Sequence, residues 1–214
     1  MPVDTFRHKG LRKRLCAELR EKGITNEAVL AAMEKIPRHF FLESSFDVIA
    51  YEDRALPILC DQTISQPYTV AFQTQLLNVK PGDKIMEIGT GSGYQTSVLC
   101  ELKAQVFSIE RHKGLFDKAK KHLAELGYTA KTFFGDGYKG LPAYGPFDKV
   151  IVTCGAPEVP TAIVEQMKVG GIMVIPLGSE VQEMKLLTKI SQTELVAETF
   201  DTFRFVPMLE KRKF

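Results

Sequence analysis

The run Lys84-Ile85-Met86-Glu87-Ile88-Gly89-Thr90-Gly91-Ser92-Gly93 constrains the fold more than any other stretch of the chain. A short apolar strand ends in glycines at alternate positions, and a helical segment begins near Tyr94. Nucleotide sites in α/β proteins are built from such a unit, because glycine takes positive φ and lets a ligand come close to the backbone. The helix that follows turns unpaired N–H groups toward the same point. The competing reading is a tight strand-to-helix turn that binds nothing.

The pattern around this unit decides the fold class. Short apolar runs alternate with amphipathic segments at Gln95–Glu101, Gln105–Ile109, Lys113–Leu126, Ala130–Phe134, Lys149–Thr153, Val159–Met167 and Ile172–Ile175. Strand and helix in alternation predict an α/β protein with a doubly wound, mostly parallel sheet. Glu183–Ile190 and Leu195–Val206 read as longer strands around the polar Ser191–Glu194 turn, so antiparallel strands should close the sheet.

Ahead of this core, Phe6, Leu11, Leu15 and Leu19 form an apolar stripe with basic residues around it, read as a surface helix with a solvated face. Thr25 and Asn26 offer cap oxygens to a second helix that should stop before Pro37. Residues 38–59 follow no period. The organisation expected is one domain over 1–214, with an N-terminal helical elaboration (1–60), a cofactor-binding core (61–180) and C-terminal strands (181–214).

Two carboxylates fall in register with the glycines. Gln105–Ile109 ends in Glu110, read as an exposed acid where a ribose diol would lie, about 20 residues past the loop. Asp136-Gly137 follows the run Thr132–Phe134, at the carboxyl end of a third strand, where ligands of open sheets bind. Each acid alone could be a solvated strand end or a helix cap. The Gly-x-Gly-x-Gly spacing brings the third glycine one residue early for a dinucleotide. Glu87, two residues before Gly89, also suits a cationic cofactor better than a pyrophosphate. Both point to S-adenosylmethionine.

Charge and cysteine usage narrow the partners. The 28 basic and 26 acidic side chains nearly cancel, so no global field favours nucleic acid or anionic lipid. No run reaches the roughly 18 apolar residues of a membrane span, and no signal-peptide pattern opens the chain. A cytoplasmic protein, monomeric and without membrane or nucleic-acid partners, is expected. Cys16, Cys60, Cys100 and Cys154 lack metal or disulfide spacing, and His8, His39, His112 and His122 fall in segments read as surface helices or their edges. No metal site is expected.

Met86–Thr96 resembles the first cofactor motif of the protein-L-isoaspartate O-methyltransferases. Ala50–Ile58 with Gln62–Tyr68, Val152-Thr153 with Ala156–Pro160, and Arg204–Met208 are similar to further signatures of that family. Thr69 and Gln73 stand where methionine is common in it, and Cys154-Gly155 replaces a pair of alanines. The resemblance implies a methyltransferase of the S-adenosylmethionine-dependent type. It would esterify the α-carboxylate of L-isoaspartyl residues in aged proteins and peptides, and the ester would collapse to a succinimide. It further implies that Thr63, Ile64, Ser65, Glu87, Ile88, Gly89, Thr90, Gly91, Glu110, Asp136 and Gly137 bind the cofactor. Glu110 would hold the ribose, Asp136 and Gly137 would lie near the adenine, and Glu87, Gly89 and Gly91 would line the methionine end.

Ser65 matches the family's active-site serine. A carboxylate acceptor is already ionised near neutral pH and needs no general base, so a positioning hydroxyl is the role expected of Ser65. A plain alternative has Ser65 capping a helix over Tyr68–Leu77, with Pro67 early in it. A nucleotide-dependent oxidoreductase and a non-catalytic relative of the cofactor fold are the other classes weighed.

Overall fold

The computed structural model describes residues 3–214. Helices α1 (Phe6–Glu21) and α2 (Glu27–Lys35) come first, then irregular 3-10 turns and a two-residue antiparallel pair, β1 (Leu56–Pro57) with β2 (Thr63–Ile64). Next come α3 (Pro67–Leu77), β3 (Lys84–Ile88), α4 (Tyr94–Glu101), β4 (Gln105–Glu110), α5 (Lys113–Glu125), β5 (Lys131–Phe134) and β6 (Phe147–Val152). The chain continues through α6 (Thr161–Glu165), β7 (Met167–Leu177), β8 (Gln182–Lys189) and β9 (Leu195–Phe203).

Seven strands form one sheet in the order β5-β4-β3-β6-β7-β8-β9. The first five are parallel, while β8 and β9 add antiparallel strands at one edge. This is the doubly wound, mostly parallel sheet expected from the alternating pattern. Period-two alternation divides β3 between two cores. Ile85 packs with Leu77 of α3 and Leu99 of α4, whereas Met86 and Ile88 pack with Phe107, Val150 and Ile163 on the opposite face.

Helices α1 and α2 lie over α3 and α4 through a separate core that includes Leu19, Leu30 and Val98. Asn26 caps α2, its Oδ1 accepting from Ala28 and Val29, while the N–H groups of Thr25 and Asn26 donate to Gln75 of α3. Only part of the α1 basic face is solvated. Arg12 is 5% exposed and donates twice to Asp4 and once to the Tyr51 hydroxyl, which contacts His39 Nδ1 at 2.5 Å. Thus His8, His39 and His112 are buried, contrary to the surface placement read from their helical segments. Desolvation holds the His39 imidazole below its ordinary pKa. Asp4, His8 and His39 come within ligand reach of one another, with both Asp4 oxygens already accepting from Arg12.

One helix is shorter than its sequence suggests. Within Val159–Met167 only Thr161–Glu165 is helical, because Met167 pairs with Phe147 and opens β7. Lys189 closes the helix end by donating to the Val164 and Met167 carbonyls. Strand β7 also begins before Ile172, bending where its register against β6 shifts between Phe147 and Lys149. Among the described residues no helix is long and apolar enough to cross a membrane.

Candidate functional site

The strand order reverses at β3. From β3 the chain steps outward through β4 to β5, then returns to the other side of β3 as β6. Ligands of open α/β sheets bind beyond the carboxyl ends of the strands at such a reversal. A cleft lies there, lined by Thr63, Ile64, Ser65, Ile88, Gly89, Thr90, Gly91, Glu110 and Gly137 among others. Most residues selected from the sequence therefore converge on one cavity.

The glycine loop is held from both flanking strands. The N–H groups of Gly89 and Thr90 donate to the Ile109 carbonyl at the end of β4. On the other side Thr153, just past β6, donates its hydroxyl to the Gly89 carbonyl at 2.7 Å, with the Ile88 carbonyl 3.0 Å away. Gly89 has φ of +97°, and a Cβ there would lie 2.4 Å from Thr153 Oγ1. Glycine is thus required twice over, by backbone conformation and by space.

Glu110 is 4% exposed, so the exposed carboxylate read from the sequence is instead buried in the cleft wall. One oxygen accepts from the Gly91 N–H at 2.9 Å and the other from the His112 N–H at 2.8 Å. These charge-assisted bonds tie the loop to the turn after β4. Each oxygen keeps a lone pair that could accept a ligand hydroxyl.

Two selected residues do not line the cleft. Asp136 turns its carboxylate to the Tyr138 N–H and to the Lys211 N–H, leaving Gly137 at the cavity surface. Glu87 is fully buried beneath the loop, where Oε2 accepts from the Thr96 hydroxyl at 2.6 Å and Oε1 has no hydrogen-bond partner among the described residues. Its position is set by the strand period, which sends Glu87 to the α4 face with Ile85. Desolvation pushes its carboxyl up to about 7, outweighing hydrogen bonds that lower it. Burial beneath the loop thus favours the neutral form of this carboxyl over the charged one.

That displacement has a pH signature. Because the folded value of about 7 lies above the ordinary 4.5, the native state is not penalised below pH 4.5. Stability is then lost as pH rises through 7, by an amount on the order of 3 kcal/mol before relaxation. Glu87→Gln should therefore raise the melting temperature at pH 8 relative to wild type by more than at pH 5. Calorimetric scans at both values, showing an equal shift, would contradict the assignment.

Ser65 is half-buried and sits between the cleft and a second hollow lined by Tyr68, Thr69, Val181, Arg204 and Phe205 among others. Thr63, Ser65, Thr153 and Val206 line both cavities. The second runs along the edge of the sheet, lined by Asp201, Thr202 and Phe203 at the end of β9. Ser65 is not the helix cap: α3 starts at Pro67 with Gln66 in the cap position and no side-chain cap bond. Asp53 serves that helix instead, its carboxylate accepting from the Tyr68 N–H at 2.7 Å. Cys154 borders the cleft, but desolvation pushes its thiol up to about 12, so no thiolate nucleophile forms near neutral pH.

The C-terminal tail supplies cleft residues outside the selected set. Met208 and Leu209 line the cavity, and residues beyond them run beside the turn after β4. Lys113 and Lys213 backbone N–H groups donate to Lys213 and Arg111 carbonyls respectively, while Arg111 donates to the Glu210 and Lys211 carbonyls. Backbone carbonyls make most of these contacts, and they leave no residue-type signal.

A doubly wound, mostly parallel sheet with a cleft at its reversal point fits the Rossmann-like fold of the S-adenosylmethionine-dependent methyltransferases. A family model described as Protein-L-isoaspartate(D-aspartate) O-methyltransferase matches residues 10–213. Proteins called protein-L-isoaspartate O-methyltransferase from Christiangramia forsetii and Flavobacterium psychrophilum are each 56% identical over 210 residues, covering 98% of this chain and 99% of theirs. A solved structure of that name is 30% identical with a TM-score of 0.84 over 92% of this chain, which spans 65% of that longer protein. A Plasmodium falciparum structure solved in complex with S-adenosyl-L-homocysteine shares the fold, with a TM-score of 0.81 at 24% identity, over 94% of this chain and 98% of that one. The chain belongs to the protein-L-isoaspartate(D-aspartate) O-methyltransferase family.

Proposed function

We propose that this chain transfers the methyl group of S-adenosylmethionine to the α-carboxylate of L-isoaspartyl residues in damaged proteins and peptides, and so starts their repair. The observation that carries the reading is the meeting of two cavities at Ser65. One is lined by the glycine loop and a buried acid, and the other runs beside β9. Family membership supports the identity of donor and acceptor.

The residues present suit the cofactor. Glu110 keeps free lone pairs facing the cleft for ribose hydroxyls, and the Cβ-free Gly89 leaves the loop open to close approach. Thr63, Ile64 and Ser65, with Ile88, Thr90 and Gly91, line the same cleft and would hold the cofactor there. Gly137 lines the cleft where the adenine would lie, on a turn that Asp136 orders by accepting from the Tyr138 N–H. Glu87 acts from below, supporting α4 through Thr96. S-adenosylmethionine held there would supply an electrophilic methyl on its sulfonium, the sulfur departing as a neutral thioether as the carboxylate oxygen takes the methyl.

The protein does little proton chemistry. Carboxyl pKa values lie near about 4, so the acceptor arrives ionised and has only to be aligned in a dry site. The Ser65 hydroxyl, at the junction of the cavities, donates a hydrogen bond that orients it. After release the neighbouring amide nitrogen attacks the ester carbonyl, methanol leaves, and the resulting succinimide hydrolyses in part to normal aspartate.

Ser65→Ala should lower kcat about 10–100-fold while the cofactor Kd changes less than about threefold. Lost cofactor affinity with unchanged turnover would contradict the positioning role. Mass spectrometry of the product tests the chemistry. A methylated isoaspartyl peptide should lose methanol in mild base and leave a succinimide, whereas a base-stable methyl group would exclude a carboxyl ester.

Walls of the two cavities come from Ala55, from the loops of the core and from Val206, so 1–60, 61–180 and 181–214 act as one catalytic unit. The enzyme works as a cytoplasmic monomer on isoaspartyl proteins and peptides, without nucleic-acid or membrane partners.

A further inference from the structure

We infer that Thr153 is a positioning residue for methyl transfer, its hydroxyl fixing the cofactor loop against the acceptor hollow. The inference rests on the reading of the two cavities as donor and acceptor sites.

Among the residues shared by both cavities, Thr63, Ser65 and Thr153 carry hydroxyls. The single hydroxyl proton of Thr153 is committed to the Gly89 carbonyl at 2.7 Å, with the Ile88 carbonyl at 3.0 Å as its second neighbour. Its backbone N–H also donates to Ile88, extending the β3–β6 ladder by one bond. With its proton on the Gly89 carbonyl, Thr153 does its work on the loop. The first loop peptide is pinned on its N–H side by Ile109 of β4 and on its C=O side by Thr153, just past β6.

The pair is mutually fitted. A Cβ on Gly89 would occupy the place of the Thr153 hydroxyl, so the hydroxyl reaches the carbonyl only because the loop residue is glycine. Without the hydroxyl, the carbonyl loses its partner at the reversal point and the peptide between Gly89 and Thr90 is held on its N–H side alone, so that it can tilt about that bond. Such a tilt shifts the floor of the donor cleft relative to the wall of the acceptor hollow. In-line transfer between two bound molecules tolerates little displacement, and about 1 Å can cost about 100-fold in rate. Binding of either molecule alone depends much less on that relation.

Thr153→Val keeps shape and removes the hydroxyl, whereas Thr153→Ser keeps the hydroxyl and removes the methyl. The valine variant should lose at least about tenfold in kcat, with peptide KM and calorimetric Kd for S-adenosylhomocysteine each changing less than about threefold. The serine variant should recover to within about threefold of wild type. Amide exchange at Thr90, which needs no turnover, should speed up at least about tenfold in the valine variant and not in the serine variant. Wild-type kcat in the valine variant, equal losses in both variants, or affinity loss with unchanged kcat would each overturn the role. If wild type itself methylates no isoaspartyl peptide, the functional reading fails. Thr90 exchange then decides separately whether Thr153 pins the loop, unchanged exchange in the valine variant overturning that pin.

Discussion

Gly89→Ala is expected to destabilise the protein by about 2–4 kcal/mol and to cost about 100-fold in cofactor affinity. Two independent penalties act at that position. The φ of +97° is poorly tolerated by any residue with a Cβ, and the added carbon would meet Thr153 Oγ1 at 2.4 Å. Relief requires breaking the bond to the Gly89 carbonyl or moving the end of β6, which is packed into the sheet. A loss of this size lowers the melting temperature by roughly 5–15 °C in a domain of this length. Gly10→Ala is the matched control, since that glycine sits in α1 with nothing within 4 Å of the added carbon. It should stabilise by about 0.5–1 kcal/mol. Equal effects of the two substitutions in thermal scans would contradict the strained-loop account.

Glu110→Ala should weaken cofactor binding at least about tenfold and lower stability by about 2–4 kcal/mol. The carboxylate is the acceptor for the Gly91 and His112 N–H groups, and truncation leaves both donors without it inside the wall. The loss would therefore fall on the loop and on the turn after β4 together, even before any ligand arrives. Glu110→Gln keeps one acceptor oxygen and should fall between wild type and alanine. Isothermal titration with S-adenosylhomocysteine checks the order, and a glutamine variant weaker than the alanine variant would contradict it.

The fold was legible where residue type follows geometry. Alternating strand and helix periods located β3 without error and predicted the parallel sheet, because buried strands and covering helices each require their own spacing of apolar residues. Length was misread where tertiary pairing overrides local pattern. The segment Val159–Met167 reads as one helix and Ile172–Ile175 as the strand, yet Met167 pairs with Phe147 and β7 runs on from there across an irregularity in its register with β6. The site was legible at the glycine loop and at the ends of β4 and β5. Side-chain direction was not. Strand register turned Glu87 under the loop, and Asp136 toward the tail was visible only once Lys211 was placed beside it. The acceptor hollow is built partly from residues 201–206, whose approach to Ser65 depends on the antiparallel edge and has no local signature.

The central claim is selectivity for isoaspartate at a site where donor and acceptor cavities meet. Its most direct test is methyl transfer by the purified protein to two peptides of identical composition, one holding L-isoaspartate and the other L-aspartate at the same position. The account predicts labelling of the isoaspartyl peptide with kcat/KM at least about 100-fold above its partner, a difference of about 2.7 kcal/mol in transition-state stabilisation. Equal labelling of the two peptides, or labelling of neither, would contradict it.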